Sequence, residues 1–176
     1  MKRKKELEFL AHDALNSILE KLSLYQTSKG KPGESVDLSA YIIEDFDFSQ
    51  LNLSNIDVVG SVFARCKFVN CNLYGTIFDK SKLTAVDFRG ANLNEAEFHR
   101  VEAKNANFDN TDCFAAEFYE ANLSRATFRN ASLLGTSFLD CNLTNVIFDE
   151  ADLRYASIEN SIEDGTSWKN VKRLNQ

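Results

Sequence analysis

The sequence predicts a solenoid, a chain wound into stacked and nearly identical coils. From Leu38 to Ile158, every fifth residue is a core-sized or uncharged side chain, through 25 consecutive positions. A second column, two residues before the first, holds mainly small side chains from Ser61 to Ala156. A period of five fits neither the period of a helix, about 3.6 residues, nor that of a strand, about two. Self-similarity at a fixed period is typical of repeat architectures.

Both columns are expected to point into the solenoid. Alternating large and small side chains fill a narrow interior at the density of a protein core. The second column is large only at its first four positions: Tyr41, Phe46, Leu51 and Ile56. This predicts a wider or irregular first turn.

Four segments share a motif: Ala91-Asn92-Leu93, Ala121-Asn122-Leu123, Cys141-Asn142-Leu143 and Ala151-Asp152-Leu153. The motif resembles the A(D/N)LXX signature of the pentapeptide-repeat family, and the resemblance covers about 125 of the 176 residues. It implies an all-β solenoid, a right-handed quadrilateral β-helix with four five-residue units per coil. Ala103 and Cys113 depart from the large central residue, and Glu163 ends the register.

The order of the large residues supports a coil of twenty residues. From Leu73 to Leu153 the central residue alternates between Leu and Phe apart from the two departures, so each coil has two Phe faces and two Leu faces. One Phe column is predicted to contain Phe78, Phe98, Phe118 and Phe138, and the opposite column Phe88, Phe108, Phe128 and Phe148.

Residues 1–31 are predicted to form an N-terminal amphipathic α-helix and a linker. Residues 4–25 repeat apolar side chains at helical spacing: Leu7, Leu10, Ala14, Leu15, Ile18, Leu19, Leu22 and Tyr25. The helix either caps the first coil, as solenoid ends require, or mediates dimerisation. The basic start at residues 1–5 leaves a membrane or nucleic-acid role as a further alternative.

The repeat itself is assigned to residues 32–160, and residues 161–176 to a C-terminal plug or tail. This last segment contains Trp168 at the central register and a basic tail of Lys169, Lys172 and Arg173. A plug that covers the last coil is one interpretation. Dimerisation is the other, because some members of the resembled family pair through this end.

The residue types exclude most site chemistry. The two histidines, His12 and His99, have no recurring nucleophile, base and acid near them, so no enzyme activity and no cofactor are predicted. Cys66, Cys71 and Cys141 occupy inward small positions and Cys113 a central one, with no zinc-site spacing, so they are predicted to be buried thiols rather than metal ligands.

The chain has no secretory signal and no apolar segment of the roughly 20 residues that a membrane span requires. A soluble, cytoplasmic protein without a membrane partner is therefore expected.

Function is expected on the outer faces. Residues 36–160 carry 19 acidic and 10 basic side chains, a formal charge of −9. The face centred on the Phe118 column carries most of this negative charge, with acidic residues that include Glu97, Glu117, Glu120 and Asp140. The face with Arg65, Lys82, Lys104 and Arg125 is slightly positive.

An exposed apolar strip is predicted beside the acidic face. Its members are Tyr74, Phe114, Leu134, Tyr119, Leu139 and Tyr155. An apolar strip flanked by carboxylates is typical of an interaction site. The alternative for Phe114 is local packing, with its ring folded over the gap that the small Cys113 leaves.

Three functions remain. The first is a protein-binding or scaffolding module with an unknown protein partner, as a monomer or as a homodimer through a terminal segment. The second follows from the resemblance, because relatives that confer quinolone resistance are proposed to mimic DNA and bind DNA gyrase or topoisomerase IV; a negative rod has the charge for this role. Direct nucleic-acid binding is the least favoured, because only the terminal tails are basic.

Overall fold

The computed structural model describes residues 7–27 and 36–174. One helix and six short strands follow one another along this part of the chain. They are β1 (Glu8–Phe9), α1 (His12–Thr27), β2 (Tyr41–Glu44), β3 (Val62–Ala64), β4 (Glu117–Tyr119), β5 (Ser137–Leu139) and β6 (Ser157–Glu159).

The chain winds into a β-solenoid whose coils are twenty residues long. The strands form two parallel three-stranded sheets, in the orders β1-β2-β3 and β4-β5-β6. Between and around them, isolated parallel bridges join residues twenty apart, from Asp37 with Asp57 to Asp152 with Lys172. Successive coils are therefore hydrogen-bonded to each other along the solenoid.

Two columns of stacked Phe rings fill much of the interior, as the sequence predicts. Within one column, the Phe98 and Phe118 rings lie 4.7 Å apart at 8°. In the second column, Phe108 and Phe128 lie 4.6 Å apart at 4°. Rings from different columns meet nearly at right angles, as Phe118 and Phe128 do at 87°. Both arrangements are favourable for aromatic pairs.

The column of small side chains is also inward, and its hydroxyl groups bond to the backbone. Ser61 donates to the Leu38 carbonyl at 2.6 Å and accepts the Tyr41 N–H at 3.1 Å. Thr136 donates to the Cys113 carbonyl at 2.7 Å. These buried polar groups are tolerated because each has a partner.

Every corner of the coil uses a left-handed backbone conformation. Each fifth residue from Ala40 to Asn170 has a φ between 51° and 70°, and only five of these residues are glycine. For other residues this conformation costs roughly 1–2 kcal/mol each, so the inter-coil hydrogen bonds and the packed core must offset it. Lys80, Glu95 and Tyr155 occupy such corners. Because these residue types do not favour a positive φ, the amino-acid composition does not predict where the corners lie.

The polar residue of the repeat motif has a structural role. The Asn92 carboxamide oxygen accepts the Asn94 N–H at 3.1 Å, which closes a local turn. Its amide nitrogen donates to Asn72 at 3.0 Å, and Asn72 donates to Asn52 at 2.9 Å. Asparagine at this position thus stabilises both its own turn and the stacking of coils.

The N-terminal segment packs on the first coil. β1 pairs with β2 in parallel, with Glu8 opposite Tyr41. Three leucines join the core cluster: Leu10, Leu15 and Leu22. The His12 ring lies 5.3 Å from Phe46 and its Nε2 is 2.8 Å from the Glu44 carbonyl. The large residue expected to widen the first turn, Phe46, therefore contacts this segment.

The helix begins later than the sequence predicts, at His12. Residues 7–11 lie outside α1, because Glu8 and Phe9 pair with the sheet as β1. Leu7 and Ala14, assigned to the apolar stripe, are exposed. The side chain of Tyr25 and residues 1–6 lie outside the described part of the structure.

The coil continues beyond residue 160, where the sequence analysis ended it. Bridges join Asn142 to Ile162 and Asp152 to Lys172. The Trp168 ring stacks on Phe148 at 4.6 Å and 3°, and the Arg173 guanidinium lies 4.5 Å from the Trp168 centroid. Backbone bridging needs no large central residue, so the loss of the pattern at Glu163 does not end the coil.

All four cysteines are buried free thiols, as predicted. Cys141 Sγ lies 3.3 Å from the Phe118 carbonyl oxygen, in the position that Ser61 occupies in its own coil. Some of these thiols thus act as weak hydrogen-bond donors and not only as small apolar groups.

We expect the free energy of unfolding to fall as the pH rises above 9. Burial raises the pKa of Cys71 and Cys113 to about 12 and that of Cys66 and Cys141 to about 11, from 9.0. The unfolded chain therefore loses these protons first. The stabilisation is complete below pH 9 and is lost as the pH rises through 11 to 12. Urea unfolding between about pH 8 and 11 measures the decline.

The variant Cys71→Ala is the matched control, because Ala91 occupies the same position one coil later. It should show a shallower decline than the wild type. An identical decline in both proteins would assign the pH dependence to other groups.

Candidate partner-binding surface

Three of the predicted surface residues stand in one column. Tyr74, Phe114 and Leu134 each follow the central residue of their coil, at spacings that are multiples of twenty. Phe114 is 51% exposed, Tyr74 is 37% exposed and Leu134 is half-buried. Because about half of the Phe114 side chain is exposed, its ring is directed outward.

Hydrogen bonds hold this column in place. The Phe114 N–H donates to the Asn94 side-chain oxygen at 2.7 Å, and the Phe114 carbonyl accepts the Glu95 N–H at 2.9 Å. The Tyr74 hydroxyl donates to Glu95 Oε2 at 2.5 Å. That bond to the Glu95 carboxylate raises the pKa of Tyr74. Tyr74 therefore stays a neutral phenol at neutral pH.

The other predicted apolar residues lie on the acidic face or at its corner. Tyr119 and Leu139 are paired neighbours on β4 and β5, and both are half-buried. Tyr155 is 73% exposed at a left-handed corner.

The predicted strip is divided into two parts. A turn at Phe114 and Ala115 separates the Tyr74 column from β4, which carries Glu117 and Tyr119. The two apolar groups therefore lie on adjoining faces around one corner. A partner that contacts both must wrap the edge of the solenoid.

Carboxylates of successive coils line up on one face. Glu97 and Glu117 are bridge partners in successive coils, so they share one face. Glu120 and Asp140 occupy successive corners of that face and are exposed. Arg100 Nε lies 3.9 Å from Glu120, a long exposed pair that neutralises little. On the slightly positive face, by contrast, Arg65 pairs with Asp45.

Three carboxylates surround the His99 ring, an arrangement that was not predicted from the sequence. Its Nδ1 lies 3.4 Å from Asp79 and 3.8 Å from Glu97, and its Nε2 lies 3.3 Å from Glu117. The spacings were present in the sequence, because Asp79 precedes His99 by twenty residues, one coil, and Glu97 precedes His99 by two residues. Only the twenty-residue coil turns these separations into proximity.

The surface offers binding chemistry: a projecting aromatic ring, neutral phenols and rows of carboxylates. Within residues 7–27 and 36–174, no helix has the length and apolar character needed to span a bilayer.

The chain matches the family model described as pentapeptide repeats. Eight copies match, over residues 47–84, 81–112 and 116–160, which is more than half of the chain. No curated protein sequence matches the chain.

Several solved structures are similar to this chain. QnrB1, described as a plasmid-mediated fluoroquinolone resistance protein, is 20% identical with a TM-score of 0.47, over 79% of this chain and 86% of that one. HetL from the cyanobacterium Nostoc, described as involved in heterocyst differentiation regulation, is 16% identical with a TM-score of 0.27, over 85% and 92%. A pentapeptide repeat protein from the Arabidopsis thaliana thylakoid lumen is 24% identical with a TM-score of 0.30, over 60% and 67%.

Proposed function

Since the chain belongs to the pentapeptide-repeat family, we propose that it is a non-enzymatic protein-binding or scaffolding module. It acts through the outer faces of a β-helix that we take to be right-handed and quadrilateral. The observation that carries the proposal is Phe114, a large aromatic side chain 51% exposed on a hydrogen-bonded wall. Aromatic residues on a rigid surface are typical centres of binding energy.

The chemistry of the surface indicates the kind of partner. Phe114 and Tyr74 offer apolar contact, while Glu117 and Glu120 lie on the adjoining face. A partner that buries the aromatic rings and places lysines or arginines over the carboxylates is complementary in both respects. We therefore propose a basic protein surface with an apolar centre.

We expect Phe114→Asp to abolish capture of a partner from an extract of the source cells. Thr84→Asp is the matched control, because Thr84 is also exposed and follows the central residue of its coil on a different face. Capture followed by mass spectrometry, with equal melting temperatures for the two variants, measures the effect. Equal capture by both variants would show that Phe114 is not part of the binding surface.

Homodimerisation is the second form of association that we propose. The last coil has a cavity of about 530 Å³ lined by residues that include Leu153, Tyr155 and Ile158. Light scattering on the full chain and on a version without residues 161–176 tests it. A dimer that becomes a monomer on truncation places the interface at this end.

DNA mimicry remains a second candidate function, favoured by the succession of Glu97 and Glu117 on one face. Stacked carboxylates imitate the charge of a phosphate row and attract a basic DNA-binding surface. In this case the partner is DNA gyrase or topoisomerase IV. The protein is then expected to inhibit DNA supercoiling by gyrase, and added DNA is expected to displace the protein from the enzyme. Inhibition that Glu117→Lys leaves unchanged would count against this function.

We also propose a cytoplasmic location. All four cysteines are free thiols, and free thiols are suited to a reducing compartment.

A further inference from the structure

We propose that His99, Asp79 and Glu97 form a binding site for one Zn²⁺ ion. One oxygen or nitrogen atom from each of these side chains lies within 4.8 Å of the others. Among residues 7–27 and 36–174, this is the one group of three such side chains that comes so close. The site lies on the acidic face, contains no residue of the Phe114 column and does not depend on the proposed partner.

The coil geometry brings the three ligands together. Glu97 and His99 flank the inward Phe98, so both side chains point outward from one strand segment. Asp79 occupies the equivalent position to His99 in the preceding coil. Its Oδ1 accepts a hydrogen bond from the backbone N–H of His99 at 3.1 Å. The ligands therefore come from two hydrogen-bonded coils and not from a loop.

The distances suit a shared ion. His99 Nδ1 lies 3.4 Å from Asp79 Oδ1 and 3.8 Å from Glu97 Oε2. Two ligand atoms bound to one tetrahedral Zn²⁺ at about 2.1 Å lie about 3.4 Å apart. Small rotations of the half-buried Glu97 side chain bring the second distance to the same value. Water would complete the coordination.

The second nitrogen of His99 provides an independent observation. Nε2 lies 3.3 Å from Glu117 Oε2, in the next coil. Histidines that bind a metal commonly donate their other N–H to a carboxylate, which fixes the tautomer and orients the ring. With the proton on Nε2, the Nδ1 lone pair faces two carboxylates, an arrangement that a cation stabilises.

The chemistry selects the metal. An imidazole nitrogen with two carboxylates suits Zn²⁺ and related transition-metal ions, whereas Mg²⁺ and Ca²⁺ prefer oxygen ligands alone. The competing arrangement is an imidazolium ion held by the three carboxylates without a metal. Zinc titration distinguishes the two.

The test is calorimetric titration of tag-free, chelator-treated full-length protein with ZnCl₂ at neutral pH. We expect one Zn²⁺ per chain, no heat of binding with MgCl₂, and a higher melting temperature with Zn²⁺. His99→Gln should weaken binding at least tenfold, and Glu117→Gln, which removes the orienting carboxylate, by about 10–100-fold.

His12→Gln is the matched control, because His12 is the other histidine and its ring faces the Glu44 carbonyl at the N-terminal end of the solenoid. It should bind Zn²⁺ as the wild type does. Unchanged affinity in His99→Gln, or no binding by the wild type at about 100 μM Zn²⁺, a weak site by zinc standards, would overturn the proposal. Glu97→Gln provides the same comparison if His99→Gln has an altered circular dichroism spectrum.

Discussion

Replacing Phe118 with aspartate should unfold the solenoid. Phe118 is 1% exposed, and its ring stacks 4.7 Å from Phe98 and 4.9 Å from Phe138. Loss of a buried Phe side chain costs about 3–5 kcal/mol, and a buried carboxylate without a partner adds several more. The sum is comparable to the whole stability of a typical domain, about 5–15 kcal/mol. Circular dichroism on heating should show no cooperative transition.

Phe118→Leu is the control for this experiment. Leucine already fills the central position of other faces, as Leu123 and Leu133 do. The variant loses the ring stacking and some volume but introduces no charge, so we expect it to fold with a loss of about 1–2 kcal/mol. If the free energies of unfolding of Phe118→Asp and this control differed by less than about 1 kcal/mol, the interior would not be the packed core described above.

Replacing Leu15 with aspartate should have the second-largest effect. Leu15 on α1 is fully buried in the core cluster that begins the solenoid. We expect a loss of about 3 kcal/mol or more, because a carboxylate then faces the apolar end of the first coil. Urea unfolding followed by circular dichroism measures it. The loss of this contact also exposes the edge of β2, so self-association should increase.

Ala14→Asp is the matched control on the same helix. Ala14 is the neighbour of Leu15 but is exposed, and an acidic residue in the first turn of a helix is tolerated. Its effect should stay within about 0.5 kcal/mol. Equal stability of Leu15→Asp and Ala14→Asp would mean that α1 does not stabilise the solenoid and would favour the alternative of a helix that serves dimerisation.

Much of the interior was predictable because the repeat is short and regular. A large residue at every fifth position has to point inward in each coil, and the twenty-residue spacing of Phe98, Phe118 and Phe138 then places their rings in one column. The boundaries were less predictable. Residues 161–172 keep the backbone bridges although Glu163 interrupts the column of large residues. The helix begins later than predicted because Glu8 and Phe9 pair with the sheet as β1.

For the candidate surface, the sequence predicted only which residues share an outward column. The sequence placed Tyr74 and Phe114 on one outward column and Glu97 and Glu117 on another face, and the structure has this arrangement. It did not reveal the corner at Ala115 that divides the apolar strip. Nor did it identify the His99 site, because side chains two and twenty residues apart approach each other only after the register of the coils is known.

The sequence by itself determined the repeat, the coil length and the identity of the inward residues, since these depend on a periodic burial pattern. Tertiary structure alone decided the left-handed corners, the contact of α1 with the first coil and the side-chain contacts around His99. The physical reason is the same in each case. These features depend on hydrogen bonds and packing between residues far apart in the chain, and such contacts override local preference.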